Sequence, residues 1–558
     1  MLIFFSGPQT KEYGKECMNE NFNRLADEIL EYYWKNKPVD ATFLGIHKYD
    51  HTFGKQDLSS HKEFLNGLET YFNQLKIFEK ERVNLSPDEW MDYIILKNSL
   101  EVEITFERET ERMTRDASIY PQMILYGLYL LVMRNFAPFY ERMEKVLERL
   151  KEVPQILIVG RENLTKGKNI PKVWTEIGIE ITENGGRFLL KTLEPFIEET
   201  SLLKNELIEA RYVAFEAFSR YLRFLQNELL SRSDGDFSIG KDLFEFLLKK
   251  EHQLSYSSEE LLSVGENIIV ETKASMNRLS REIDETQSPE DLITRLKGEH
   301  PNRTELLNYY EKEMGRAKEF VIHHDLVSIP DGETLSVVET PLFERPRIPY
   351  AAYIPPAPFE KNQNGIFWVT PVEKENLESL KDHSKYKIVV IALHEAYPGH
   401  HLQFVHSNKI KSKIRRQFFT PLFAEGWALY CEEMMYENGF YTDPRIRFLQ
   451  LKGQLWRACR VVIDVKLHLK KMGIDDAVDM LVNVARLERV QAIGEVKRYT
   501  QTPTQPMSYI MGKQEILKLR DDVKELRPNR FNIRDFHNEL LSFGTIPIGL
   551  IRERILNP

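Results

Sequence analysis

The sequence predicts a mainly α-helical protein, a large helical scaffold followed by a small β-hairpin or sheet beside a histidine-bearing helix. Three observations lead there. Apolar residues recur with the helical period over most of the chain, and chemical helix starts punctuate it. β-rich, proline-bounded runs are confined to one short stretch beyond residue 329. The reading is an extension over 1–17, a helical scaffold over 18–329 and a candidate functional region over 330–558, in one continuous unit without a Gly/Ser- or Pro-rich linker.

At the start, Met1-Leu-Ile-Phe-Phe5 is too short for a secretory apolar stretch of about 7–15 residues and has no preceding positive charge. It reads as a disordered or mis-started extension before an amphipathic start near Met18. Helical faces follow, such as Met143, Val146, Leu147 and Leu150, and then Leu207, Ala214, Phe218, Leu222, Leu225 and Leu229. Ser86-Pro87-Asp88-Glu89 and Ser257-Ser258-Glu259-Glu260 are capping boxes. The longest uncharged apolar run, Met123–Met133, has 11 residues. That is short of the roughly 18 needed to cross a bilayer, and it predicts a buried core helix. Tyr350–Ile354 and Ile366–Thr370 predict a hairpin with a long Pro/Asn/Gly loop. Helical patterns then resume to the end, interrupted at Pro503 and Pro506.

Composition excludes several classes. With 76 Lys+Arg against 85 Asp+Glu the formal charge is −9, and the signs are interleaved, so nucleic acid is not an expected partner. At 42% hydrophobic and 29% charged, the chain is neither disordered nor a membrane protein in type. Cys17, Cys431 and Cys459 are too few and too scattered for a disulfide framework, which fits a reducing cytoplasm. Oligomeric state is left open, a homodimer included.

The chemistry concentrates in Ile388-Val-Val-Ile-Ala-Leu-His394-Glu395-Ala-Tyr-Pro398-Gly399-His400-His401-Leu-Gln403. A His-Glu pair after an apolar helical run resembles the H-E-x-x-H zinc helix, but the position of its second histidine is Pro398. In an unbroken helix His394 and His400 would stand about 9 Å apart along the axis, too far for one metal. Proline clashes with the carbonyl four residues back and glycine takes backbone angles closed to other residues. A two-residue excursion there would bring His400 to the usual second place, with His401 as its rival. Glu425, on a predicted return helix among Leu422, Phe423, Ala424, Trp427, Ala428 and Leu429, is the candidate third ligand, since a carboxylate among apolar neighbours needs a partner. Glu432, seven residues on, shares its face and suits a carboxylate that orients a histidine.

His-Glu-Ala-Tyr-Pro-Gly-His-His-Leu-Gln followed by Glu-Gly-Trp-Ala-Leu-Tyr resembles the domain-of-unknown-function 885 family, regarded as gluzincin-like zinc metallopeptidases. The resemblance extends over nearly the whole chain. It takes in Pro38-Val-Asp-Ala-Thr-Phe-Leu-Gly-Ile-His-Lys-Tyr49, Leu455-Trp-Arg-Ala-Cys-Arg-Val-Val-Ile-Asp464, Glu495-Val-Lys-Arg-Tyr499 and Pro506-Met-Ser-Tyr509-Ile-Met-Gly512. It implies a zincin-type active-site helix and one Zn2+ per chain on His394, His400 and Glu425. It also implies Glu395 as general base and hydrolysis of short peptides.

Arg457, Arg460, Asp464 and His468 share one helical face and predict a polar stripe toward the cleft; Arg460 and His468 are its candidate catalytic residues. An arginine there would clamp a substrate carboxylate; its rival role is an internal Arg–Asp network. Tyr499 and Tyr509 flank the Pro503/Pro506 turn, and either phenol is a candidate for oxyanion stabilisation, the resemblance favouring Tyr509. Either predicted strand is a candidate for pairing with an extended peptide. The competing functions are a helical binding or structural protein with a non-catalytic metal site, and a zinc hydrolase of non-peptide amides. The first is disfavoured because a structural zinc site needs four closed ligands and no adjacent base.

Overall fold

The computed structural model describes residues 9–80, 82–341, 345, 348 and 350–557, with side chains from residue 20 onward except at 83. The 1–17 extension lies outside the described residues over 1–8 and outside the described side chains over the rest. The chain is mainly α-helical with one small sheet. Its first part runs through helices α1 (Gln9–Asn36), α2 (Pro87–Thr110), α3 (Ile119–Met133), α4 (Phe139–Lys166), α5 (Lys204–Phe224), α6 (Ser258–Ile283) and α7 (Leu306–His323). Both capping boxes form. Ser86 Oγ accepts from the Glu89 N–H at 3.3 Å, and the Glu89 carboxylate accepts from the Ser86 N–H at 2.9 Å; Ser257 and Glu260 repeat the exchange before α6. The apolar run from Met123 lies within α3, buried against α4, whose Met143, Val146, Leu147 and Leu150 face it, and α5 covers α4. Among the described residues no helix is long and apolar enough to cross a membrane.

The expected hairpin forms as β2 (Ala351–Ile354) against β3 (Asn364–Val369), antiparallel with Ala351 opposite Val369 and Ile354 opposite Ile366. A strand that the hydrophobic pattern did not reveal, β1 (Thr334–Glu339), pairs parallel to β3 and makes β3 central. The expectation that Ile366–Thr370 pairs with a peptide is therefore corrected, because both edges of β3 are taken. Of the two predicted strands only β2 keeps a free edge. The period of two sorts the faces: Ile366 and Trp368 join the core of α3–α5, while Phe367 and Val369 join the main core.

The site helices follow: α8 (Lys385–Glu395), α9 (His400–Asn408), α10 (Pro421–Glu437), α11 (Pro444–His468), α12 (Arg489–Gln501) and α13 (Ser508–Leu526). The break between α12 and α13 falls where Pro503 and Pro506 predict it. The main core joins Phe22 and Leu30 of α1 to Ile388 of α8, Trp427 of α10 and Met511 of α13, so residues on both sides of 329 share it. α8 packs on α7, α10 and α11, and α10 on α13.

Candidate metal centre

α8 ends at Glu395 because the chain cannot continue as a helix through Pro398. The backbone widens in steps: Tyr397 N–H reaches the Ala392 carbonyl at 3.2 Å, and Gly399 N–H reaches that of Leu393 at 3.0 Å. Those bonds span five and six residues where a helix spans four. A Cβ on Gly399 would stand 1.9 Å from the His394 carbonyl oxygen, so only glycine fits the approach. The Pro398 carbonyl accepts from Trp427 Nε1 at 2.8 Å, which ties the loop to α10. The excursion delivers His400 beside His394, with ring centroids 4.9 Å apart and planes perpendicular.

Glu425 meets both histidines, its Oε2 lying 3.3 Å from His400 Nε2 and 3.8 Å from His394 Nε2. One donor atom from each of the three residues falls within 4.8 Å of the others. His394 Nδ1 is held by Glu432 Oε1 at 2.8 Å, which leaves Nε2 as the free donor. Burial alone would keep the His394 imidazole neutral, but Glu425, Glu432 and Glu395 outweigh it and raise its pKa to about 9. Burial likewise opposes ionisation of Glu425, and the two imidazoles hold its carboxyl well below the usual range. This donor set of two imidazoles and one carboxylate, with a second carboxylate behind one ring, fits a zinc ion. Among the described residues no fourth donor joins the cluster.

A family profile described as "Bacterial protein of unknown function (DUF885)" matches residues 38–555. The chain belongs to the DUF885 family. Two solved structures are similar. One is a "putative lipoprotein of unknown function" from Shewanella oneidensis, 24% identical, with TM-score 0.81, covering 96% of this chain and 100% of that one. The other, a "putative lipoprotein" from Colwellia psychrerythraea, is 18% identical with TM-score 0.78, over 96% and 98% of the two chains. At these identities the likeness shows the fold alone. No curated protein matches.

Two further segments, of α10 and α13, meet beside these residues. α10 and α13 touch backbone to backbone, since a Cβ on Gly512 would stand 1.9 Å from the Leu422 carbonyl and one on Gly426 would stand 2.5 Å from Gly512 Cα. That contact sets Tyr509, one turn before Gly512, beside the centre, its ring stacked near His394 at 6.5 Å and 15°. Burial and then Glu425 raise the Tyr509 phenol, against the lowering pull of Arg460 and Arg457. It remains a proton donor at neutral pH. Tyr499 is fully buried in a satellite core instead. Glu395 is partly exposed and makes no hydrogen bond or ion pair among the described residues, although its charge is felt at His394, Tyr310 and Tyr353.

The polar stripe of α11 divides. Arg460 and Arg457 flank Tyr509, with guanidinium carbons 4.6 and 5.5 Å from its ring. Two turns on, His468 does not join the candidate catalytic residues. It is fully buried between Phe237 and Phe244, its Nε2 bonds the Tyr499 carbonyl at 3.1 Å, and burial lowers its pKa to about 4. Asp464 accepts from Thr504 N–H and Met507 N–H at 3.2 and 3.3 Å, fixing the turn before α13. The stripe thus lies beside Tyr509 at one end and is structural at the other.

His401 points away from the centre. Its Nε2 meets Glu333 at 2.6 Å and its Nδ1 meets Tyr353 of β2 at 3.0 Å, while Tyr397 and Lys318 also bond Glu333. The Glu333 side chain, 1% exposed, therefore ties the first turn of α9 to the sheet and to α7. It stands in a loop some seventy residues upstream with no periodic signal around it, and sequence reasoning misses it.

Proposed function

We propose that this chain is a zinc-dependent hydrolase that cleaves peptide bonds of short peptides. The observation that supports it is the convergence of His394, His400 and Glu425 next to Glu395, a carboxylate with no hydrogen-bond or ion-pair partner among the described residues. Zinc held by those three residues would supply Lewis-acid charge to polarise a carbonyl and to acidify a water molecule. Glu395 then takes the proton of the attacking water and passes it to the departing amine. Tyr509 donates its phenol proton in a hydrogen bond to the carbonyl oxygen as that oxygen gains charge. Glu432 keeps His394 in one tautomer and orientation. The free edge of β2 pairs with the substrate backbone, which tolerates varied side chains.

Three protein donors with no fourth among the described residues suit a catalytic rather than a structural zinc site. We place the reaction in the cytoplasm, a reading supported by Cys431 and Cys459, both buried and unpaired. A lipoprotein description like that of the two neighbours would instead put it at an envelope membrane, and fractionation of the native host separates the two.

The test is hydrolysis of an N-blocked short-peptide library by the zinc-loaded protein. Release of new amines, abolished by chelation and restored by zinc, is the expected result. A chain with zinc bound that cleaves no peptide would overturn the proposal.

A further inference from the structure

One side of the centre carries a surplus of positive charge that the hydrolytic steps leave unused. α8 and α11 pack together. Near their junction lie Lys387 of α8 and Lys452, Arg457 and Arg460 of α11. Local acids neutralise them poorly. Glu495 accepts from Arg460 Nη2 at 3.1 Å but is shared with Arg498, and Glu488 is taken by Lys297 at 2.8 Å. Lys387 donates to the Asp382 carbonyl at 3.1 Å and lies 5.2 Å from the Tyr350 ring; Arg457 donates to the Gly453 carbonyl at 3.3 Å. Among the described residues none of Lys387, Lys452 and Arg457 has a carboxylate within 4.0 Å. Arg460 is only 4% exposed and its guanidinium is shared between Glu495 and the Tyr509 phenol, while Arg457 Nε is buried without a hydrogen-bond partner among the described residues.

The cations repel one another. After burial, Lys387 and Lys297 are the main causes that bring Lys452 down to about 8. Buried N–H groups with no acceptor are costly, and an incoming anion would satisfy them.

The placement relative to the metal centre is defined through Tyr509. Its ring stacks near His394 at 6.5 Å and carries the Arg460 guanidinium at 4.6 Å. The guanidinium is therefore within roughly 11 Å of the imidazole, about three extended residues at ~3.5 Å each. Tyr350, just before β2, lies by Lys387.

We propose that Arg457 and Arg460, backed by Lys387 and Lys452, receive a substrate carboxylate one or two residues beyond the scissile bond, so that the preferred substrates are short peptides with a free C-terminus there. The assignment rests on the hydrolase reading above. A planar guanidinium pair matches a carboxylate's two oxygens, and an amide offers only one acceptor and no charge.

The test uses three peptides of one sequence: the N-blocked free acid, its C-terminal amide, and the amide with glutamate as last residue. Cleavage by the zinc-loaded chain is read as kcat/KM with product masses, and binding is read by calorimetry on Glu395→Gln. The free acid is expected to exceed the plain amide by at least about tenfold in both readouts, the scale of a charge-assisted hydrogen bond. Arg457→Met and Arg460→Met should erase that preference chiefly through KM, and Arg457→Lys should recover part of it. If the glutamyl amide matches the free acid, carboxylate recognition stands and its source is a side chain. Equal binding and cleavage of acid and plain amide overturns the inference while leaving the hydrolase intact. Acid-selective binding by Glu395→Gln with no cleavage by the parent keeps the carboxylate site and removes the hydrolase.

Discussion

Glu395 and Glu432 flank one imidazole and serve it differently. Glu432 is buried and bonded to His394 Nδ1 at 2.8 Å; Glu395 is partly exposed and free to accept a proton. Glu395→Gln should lower kcat by about 10²- to 10⁴-fold, the usual share of a general base, with zinc content unchanged. Glu432→Gln should instead weaken zinc affinity about 10- to 100-fold by loosening the ring proposed to bind the metal. Competition with a chelator of known affinity reads the second effect and turnover at saturating zinc reads the first. Exchange of the two phenotypes would contradict the assignment. At this scale the sequence is legible where chemistry is local. The Pro-Gly break between His394 and His400 announces itself, and so does a carboxylate at 425 among apolar residues. The choice of His400 over His401 needs the backbone path, and the partners of His401, Glu333 and Tyr353, are distant in sequence.

Among the elements, the crossing of α10 and α13 fixes the centre's shape. Gly512 lies against the Leu422 carbonyl and Gly426 against Gly512, so the helices approach at backbone distance and carry Tyr509 to Glu425's side. Gly512→Ala places a Cβ 1.9 Å from a backbone oxygen, which no side-chain motion relieves. We expect a loss of about 1–3 kcal/mol of stability, typical of overpacking. Turnover should fall further than folding accounts for, because Tyr509 is displaced. Urea unfolding alongside kinetics on the folded fraction measures both, and unchanged kinetics would argue that Tyr509 is dispensable. The helices and the β2–β3 hairpin were readable from period and turn residues, but β1 was not. Its Thr-Leu-Ser-Val-Val-Glu is partly exposed, too mixed to stand out, and its parallel partner starts thirty residues later. The helical wheel places Arg460 and His468 on one face, but it carries no information on which end of that face meets Tyr509 and which end is packed between Phe237 and Phe244.

The whole molecule buries neutral histidines outside the metal-ligand cluster. His252, His383, His468 and His537 are at most 1% exposed, and burial, reinforced by nearby cations at His383 and His537, lowers His252 to about 3 and the others to about 4. Between pH 6.5 and about 4 the unfolded chain binds protons at these rings that the folded chain refuses, so stability falls as pH drops through that window. Each contributes on the order of 3 kcal/mol of loss by its lower end. Glu333 and Glu433 act in the same direction at lower pH. Burial opposes their ionisation, but His401 and Lys318 for the first and Lys513 and Arg447 for the second hold both near 2, a contribution lost below the usual carboxylate range. Glu251, which burial raises to about 7, gains protons in the folded chain over the same window and offsets part of this loss. The four rings together should still bring the urea midpoint down from pH 7 to 4.5, and a flat profile would mean that these rings are hydrated.

The central claim is that His394, His400 and Glu425 hold one zinc ion, and elemental analysis of the purified chain after dialysis against trace zinc tests it most directly. The parent should retain about one zinc per chain, with His394→Ala and Glu425→Gln retaining none, as follows when each supplies a first bond to the metal. A parent chain without zinc, or variants that keep it, would contradict the account.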